Sequence, residues 1–361
     1  MNVEPQLKCK SSDNDENEFY FQWHLTDKCN LKCVHCYQND TSNSSELMLE
    51  ELKAIADEID LTLSRWKKDG RVAVTGGEPF VRKDVIDLLT YLEQLPHIKK
   101  LGILTNGTLI KQNIEFLKRL TKLHYVQLSL EGRKEINDGI RGNGTFDTVI
   151  ESTGILVASG IPTRWMVTLH KKNVSEVPFI IDLALENGVS TLTFERLVPM
   201  GSGESFTDYV LSPEELKEIF EHIVKRSDEE YSKGSGLTVL KLRTLWVLVD
   251  PERADKDLAT PIEQAVGACC SIGMDSLCIL PDATVLPCRR LPIPIGNLKN
   301  DSLFKIWYTS KVLWDIRDKR NLKGKCNGCE YIPRCGGCRA TAYALTGDYL
   351  AEDPQCWKKT V

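Results

Sequence analysis

Short apolar runs recur along the chain at residues 19–25, 72–75, 101–105, 125–130, 163–169 and 191–197, the length and composition of buried parallel strands. Longer segments with helical spacing lie between them. Leu47, Leu49, Leu52, Ile55, Ile59 and Leu63 form one apolar stripe, and Val85, Leu88, Leu89 and Leu92 form another. Gly160-Ile161-Pro162 and Gly188-Val189 stop helices just before strands. Six strand–helix units predict an α/β fold with a parallel array, closed partly or fully like a TIM barrel. Ser212-Pro213-Glu214-Glu215 then opens a further helix, with a serine cap and acids at the positive end of the dipole, running to about Tyr231. Residues 237–249 are apolar, but their periodicity does not decide between strand and helix.

Polar chemistry interrupts this pattern first at Cys29-Asn-Leu-Lys-Cys33-Val-His-Cys36-Tyr37, directly after the first apolar run. Three thiolates from one short loop suit an iron-sulfur cluster and leave one iron of a 4Fe-4S cube without a protein ligand. Zinc is the alternative, but a structural zinc site takes four protein ligands, and His35 lies inside the triplet. Most of the other cysteines gather between Cys269 and Cys356: Cys269, Cys270, Cys278, Cys288, then Cys326-x2-Cys329-x5-Cys335-x2-Cys338, and finally Cys356. This clustering favours metal sites over disulfides, and two zinc ribbons remain an alternative for the second group. Cys9, in a polar tail, reads as a bystander.

Length and composition bound the function. The 361 residues are 42% hydrophobic, enough for one large domain and a smaller one. With 46 basic against 51 acidic residues, no basic excess marks a nucleic-acid partner. No apolar run reaches membrane-spanning length and no signal peptide opens the chain, so the expected location is cytoplasmic, with no membrane association.

The cysteine triplet with Tyr37, followed in order by Thr75-Gly76-Gly77-Glu78-Pro79, Thr105-Asn106-Gly107 and Ser129-Leu130-Glu131-Gly132, resembles the radical S-adenosylmethionine (SAM) enzymes. The resemblance implies a partial (β/α)6 barrel in which Cys29, Cys33 and Cys36 hold a catalytic 4Fe-4S cluster whose open iron chelates SAM. It implies SAM contacts from Tyr37, from Gly76, Gly77, Glu78 and Pro79 on the methionine amino group, and from Asn106, Ser129 and Leu197. It further implies that Glu131 accepts from the ribose hydroxyls and that Arg141 pairs with the SAM carboxylate. Independently, Gly76 and Gly77 can let backbone approach a ligand without Cβ interference.

The second cysteine group resembles the SPASM extension, which carries two auxiliary 4Fe-4S clusters, making three in all. By that likeness Cys270, Cys278, Cys288 and Cys338 hold the first and Cys326, Cys329, Cys335 and Cys356 the second. Three departures stand out: Ala283 occupies the usual glycine position, the final pair is spaced by two rather than three, and Cys269 competes with Cys270. The implied division is a disordered tail at 1–18, the barrel at 19–210, a linking helix and strand region at 211–267, and the SPASM domain at 268–361.

The implied activity is an oxidoreductase that cleaves SAM and takes hydrogen from a substrate, the first reading being maturation of a ribosomal precursor peptide. The close alternative is modification of tetrapyrrole propionates, and the remote one a non-catalytic zinc-binding adaptor. Only 28 residues precede Cys29, too few for the leader-binding domain of many peptide-modifying relatives. A separate leader-binding protein, and a reductant such as flavodoxin or ferredoxin, are the expected partners. Arg289 and Arg290, directly after Cys288, can bind substrate carboxylates as paired forks or balance local acids.

Overall fold

The computed structural model describes residues 17–38, 46–241, 243–254 and 270–359. Most of the tail expected at 1–18, Cys9 and the competing Cys269 lie outside the described residues. In chain order the barrel elements are β1 (Glu18–His24), α1 (Leu49–Trp66), β2 (Asp69–Thr75), α2 (Val85–Gln94), β3 (Ile98–Leu104), α3 (Ile110–Leu117), β4 (Leu123–Ser129), α4 (Lys134–Arg141), α5 (Thr145–Ala158), β5 (Thr163–Leu169), α6 (Val177–Glu186) and β6 (Thr191–Arg196). They are followed by α7 (Pro213–Ser232), β7 (Thr238–Leu240), the short α8 (Pro251–Ala254), β8 (Ser276–Ile279), β9 (Thr284–Leu286), β10 (Gly296–Asn297), α9 (Leu303–Thr309), α10 (Lys311–Arg317) and α11 (Arg339–Thr346).

One sheet runs β10-β9-β8-β1-β2-β3-β4-β5-β6-β7, and its end strands do not pair, so the barrel is partial. Strands β1 to β7 are parallel, β8 joins β1 in parallel, and β9 and β10 are antiparallel. The cysteine-rich segment therefore extends the barrel's own sheet.

The strands differ from fully apolar runs in one respect. Their apolar residues alternate: Phe19, Phe21 and Trp23 of β1, Val72 and Val74 of β2 and Trp165 and Val167 of β5 are buried in the main core. The intervening Tyr20, Gln22, Arg71, Arg164 and Met166 line an internal cavity instead. Phe19 packs against Trp66 of α1 at 4.9 Å and Trp307 of α9 at 5.0 Å between ring centroids. Leu52, Ile55, Ile59 and Leu63 of α1 are buried, each contributing about 1.5–3 kcal/mol by removal from water. The core is thus between sheet and helices, and the sheet's concave face is left for chemistry.

The helix predicted after Ser212 forms, with a reciprocal cap: Ser212 Oγ accepts from the Glu215 amide at 3.1 Å, and the Glu215 carboxylate accepts from the Ser212 amide at 2.7 Å. The undecided stretch 237–249 holds both a strand, β7, and a 3-10 turn at Thr244–Leu248. Arg243 and Thr244 separate them with φ of 99° and 46°.

Candidate active site

The triplet follows β1 on a loop clamped from two sides. On one side the strand-end turn after β2 docks through backbone, Gly77 N–H donating to Thr26 O at 2.8 Å and Glu78 N–H to Lys28 O at 2.9 Å. On the other, Ser202 N–H donates to Gln38 O at 3.1 Å and Gly203 N–H to Cys36 O at 2.9 Å. A Cβ on Gly76 would lie 2.5 Å from Thr26 O, and one on Gly201, whose φ is +61°, 2.5 Å from Tyr37 O. These glycines admit the cysteine loop, and Gly76 and Gly77 also line the cavity beside it.

The three thiols line a cavity of about 780 Å³ at the C-terminal strand ends. Donors approach each sulfur: Leu31 N–H reaches Cys29 Sγ at 3.4 Å, Gln38 N–H reaches Cys36 Sγ at 3.4 Å, and Arg141 Nη1 reaches Cys33 Sγ at 3.9 Å. Asn106 Nδ2 lies 3.8 Å from Cys29 Sγ. Burial pushes the Cys29 and Cys33 thiols up, a cost that a bound metal cluster reverses. Among the described residues no three Cys, His, Asp or Glu side chains converge on a single-ion site. Donor type, inward N–H groups and an adjoining cavity fit a cluster with a ligand on its open iron.

Glu131 is the electrostatic hub behind this loop. Its Oε1 accepts from His35 Nε2 at 3.0 Å and from Arg141 Nε and Nη2 at 3.0 and 2.5 Å. Its Oε2 accepts from the Thr168 amide at 3.1 Å and Asn173 Nδ2 at 3.3 Å. Burial pushes this carboxyl up, but Arg141 and His35 outweigh it and hold it at about 2. Both oxygens accept from protein donors and the side chain is fully buried, so in this structure Glu131 holds Arg141 and His35. Glu78 is likewise buried, accepting from Thr105 Oγ1 and the Asn106 amide at 2.8 Å each and the Phe80 amide at 3.2 Å. Neither Glu78 nor Pro79 reaches the cavity, whereas Tyr37, Gly76, Gly77, Asn106, Ser129, Arg141 and Leu197 line it.

The expected first auxiliary set, Cys270, Cys278, Cys288 and Cys338, lines the same cavity. Burial, then the neighbouring Cys288 and Cys338, pushes the Cys270 thiol up to about 11. Cys326, Cys329, Cys335 and Cys356 line a separate small cavity. Arg290 Nη2 binds Glu195 at 2.8 Å, with Arg243 on the same carboxylate at 3.0 Å. The Arg289 guanidinium lies 4.6 Å from the Tyr37 ring centre. Arg290 is thus paired with a local acid, and the two arginines do not form one fork pair.

The Radical SAM superfamily profile matches residues 23–184, and the SPASM profile, an iron-sulfur cluster-binding domain, matches residues 269–330. AdoMet-dependent heme synthase of Methanosarcina barkeri is 30% identical over 341 residues, 92% of this chain and 95% of that protein. This chain is a radical SAM enzyme of the SPASM type. Mycofactocin maturase MftC of Mycobacterium tuberculosis is 27% identical over 346 residues, covering 92% of this chain and 81% of its own. Streptococcus suis SuiB bound to S-adenosylmethionine shares the fold at a TM-score of 0.73 and 20% identity, over 94% of this chain and 77% of that chain.

As a member of this family the protein is an oxidoreductase using 4Fe-4S clusters and SAM. Several residues that shape its site are not carried by the motifs. His35, Asn173, Arg196, Asp353 and the inward positions of β1 to β6 are among them. Arg196 at the end of β6 binds Asp353 at 2.9 Å, and Asp353 Oδ2 in turn accepts from the Cys338 amide at 2.8 Å. The alternation of polar residues within the strands was the available signal for the inward set; the long-range pairs had none.

Proposed function

We propose that this radical SAM enzyme abstracts hydrogen from a carboxylate-bearing substrate, with tetrapyrrole propionates as the leading class. The observation that carries the reading is the cavity wall, lined by eight arginines, of which Arg71, Arg141, Arg196, Arg243 and Arg290 bind protein carboxylates while Arg164, Arg289 and Arg339 have no carboxylate partner among the described residues. Planar guanidinium forks in a recessed site favour carboxylates over neutral ligands. The likeness to a haem synthase over nearly its whole length supports this class. Peptide maturation is the second reading, supported by the likeness to mycofactocin maturase.

Cys29, Cys33 and Cys36 would hold the catalytic cluster, Cys270, Cys278, Cys288 and Cys338 the first auxiliary cluster, and Cys326, Cys329, Cys335 and Cys356 the second. Bound there, the catalytic cluster and SAM supply a 5'-deoxyadenosyl radical. Arg141, fixed by Glu131, presents its remaining N–H groups toward the cavity and the SAM carboxylate. Ser129, Asn106, Tyr37 and Leu197 wall the cofactor end, and Leu197 excludes water there. The barrel at 19–210 and SPASM segment at 268–361, joined by 211–267, close over the substrate. No helix among the described residues is long and apolar enough to cross a membrane; a cytoplasmic location and reduction by a flavodoxin or ferredoxin belong to the proposed reading.

The test is anaerobic incubation of reconstituted protein with SAM, a reductant and iron coproporphyrin III, followed by chromatography of 5'-deoxyadenosine. Wild type should produce it faster with the porphyrin, and a triple Cys29, Cys33 and Cys36 to Ala variant should produce none. The triple variant should lose about four irons while keeping about eight. Equal yield from both proteins, or zinc in place of iron, would refute the reading.

A further inference from the structure

The cavity has a floor that the cofactor motifs do not reach. Tyr125 of β4 lies over Gly102 of β3, where a Cβ would stand 2.5 Å from the ring, so only glycine leaves room for it. The Arg164 guanidinium of β5 is stacked 3.9 Å above the centre of the Tyr125 ring. Both side chains line the cavity. Across the sheet, Arg164 neighbours Gln127 and Thr191, neither of them an acid.

The contrast with other cavity arginines is informative. Arg71 binds Glu18 at 2.9 Å, Arg141 binds Glu131, Arg196 binds Asp353, and Arg243 and Arg290 share Glu195. Among the described residues no carboxylate pairs with Arg164. Its aromatic shelf holds the guanidinium plane and leaves the N–H edges available. Thr168, whose amide binds Glu131, is four residues further along β5, roughly 13 Å toward the cofactor end. A ligand that touches both levels must span that length, as a tetrapyrrole or an extended peptide does.

We propose that Arg164, held by Tyr125, is the docking point for a substrate carboxylate and so decides which carbon faces the cofactor end. This rests on the carboxylate-bearing substrate proposed above. Arg289, also stacked on a tyrosine, lies beside Cys288 and Tyr37, where cluster charge gives it another task. Arg164 has no cysteine in its ladder, so that explanation does not extend to it.

The experiment titrates cluster-loaded wild type, Arg164→Met and Arg164→Lys with iron coproporphyrin III and with its tetramethyl ester, read by the Soret band. A parallel arm titrates a fluorescent hexaglutamate peptide by anisotropy. The expected result is at least about tenfold weaker binding of the free tetra-acid by Arg164→Met, partial recovery in Arg164→Lys, and ester binding that is equally weak in all three. Arg164-dependent binding of hexaglutamate without porphyrin binding would support the anchor and make a peptide its source. Acid binding that is unchanged in Arg164→Met would overturn the anchor while leaving the carboxylate-bearing substrate standing. If neither acid binds wild type, both fall. Iron content and circular dichroism report folding, and Arg164→Gln replaces Arg164→Met under the same criterion should the latter not fold.

Discussion

Gly77 meets Lys28 backbone to backbone: a Cβ on Gly77 would lie 2.3 Å from the Lys28 carbonyl oxygen. The residue before Cys29 is therefore seated by the turn after β2, and cofactor loop and barrel edge are one packed unit. Glycine is required at this place by the cysteine loop itself.

Gly77→Ala should accordingly push the loop off its seat. Overpacking against rigid backbone costs about 1–3 kcal/mol or more. The expected outcome is a folded protein that retains auxiliary iron but loses about four irons and SAM cleavage, checked by iron analysis and 5'-deoxyadenosine yield. Retention of full iron would mean that the loop adjusts without cost.

Much of the fold was legible in sequence because local rules agreed. Apolar runs of strand length, glycine stops and the Ser212 capping box each point to the element that forms. Residues 237–249 were undecided because β7 is three residues long and the left-handed Arg243 then turns the chain. The motifs located Arg141 and Ser129, but not that Glu131 is spent on protein donors. Its partners His35 and Asn173 come from different loops, and no local pattern announces a contact 96 residues apart such as His35 with Glu131. Tyr125 and Arg164 were readable as alternating positions, but what made them a shelf was the absence of a side chain at Gly102.

Ala283 carries its own test. Its φ is +73°, a left-handed backbone that costs an L-residue about 1–2 kcal/mol, and it is fully buried at the β8–β9 turn. Glycine removes that strain but loses unfolded-state entropy and the burial of one methyl group, about 0.8 kcal/mol, so the terms nearly cancel and Ala283→Gly should change stability by less than about 1 kcal/mol. Denaturant unfolding followed by tryptophan fluorescence measures it, and a loss of more than about 1 kcal/mol in the variant would contradict the strain argument.

Glu78 predicts a pH dependence. Burial pushes its carboxyl up to about 7 despite donors from Asn106, Thr105 and Phe80. The folded state thus holds a proton more tightly than the unfolded one. This contribution is complete below the ordinary carboxylate value near 4.5 and is lost as pH rises to about 7. Glu78→Gln, which cannot ionise, should flatten the stability profile across that window while costing about 1–2 kcal/mol overall for the acceptor it loses. Melting temperatures of both proteins at several pH values decide it, and parallel profiles would reject the assignment.

Arg196 and Asp353 tie the end of the barrel to the cysteine-rich segment, and this tie can be separated from cysteine chemistry. Both side chains are buried, and Asp353 accepts from Arg196 and from the amides of Cys338 and Gln355. Burial pushes the Asp353 carboxyl up, and Arg196 more than offsets it. Removing one charge leaves the other buried without an anion, so Asp353→Asn should cost about 3–5 kcal/mol. An apolar pair, Arg196→Met with Asp353→Leu, should cost less than the sum of its single changes, because neither charge is then left stranded. Asp353→Leu removes the acceptor of the Cys338 amide, whereas Asp353→Asn keeps one carbonyl oxygen that can accept from it. If Asp353 seats that cysteine, the Arg196→Met, Asp353→Leu variant should lose iron from the auxiliary set while keeping the electron paramagnetic signal of the SAM-bound cluster. Lost stability with undiminished iron would mean that Asp353 serves the domain junction alone.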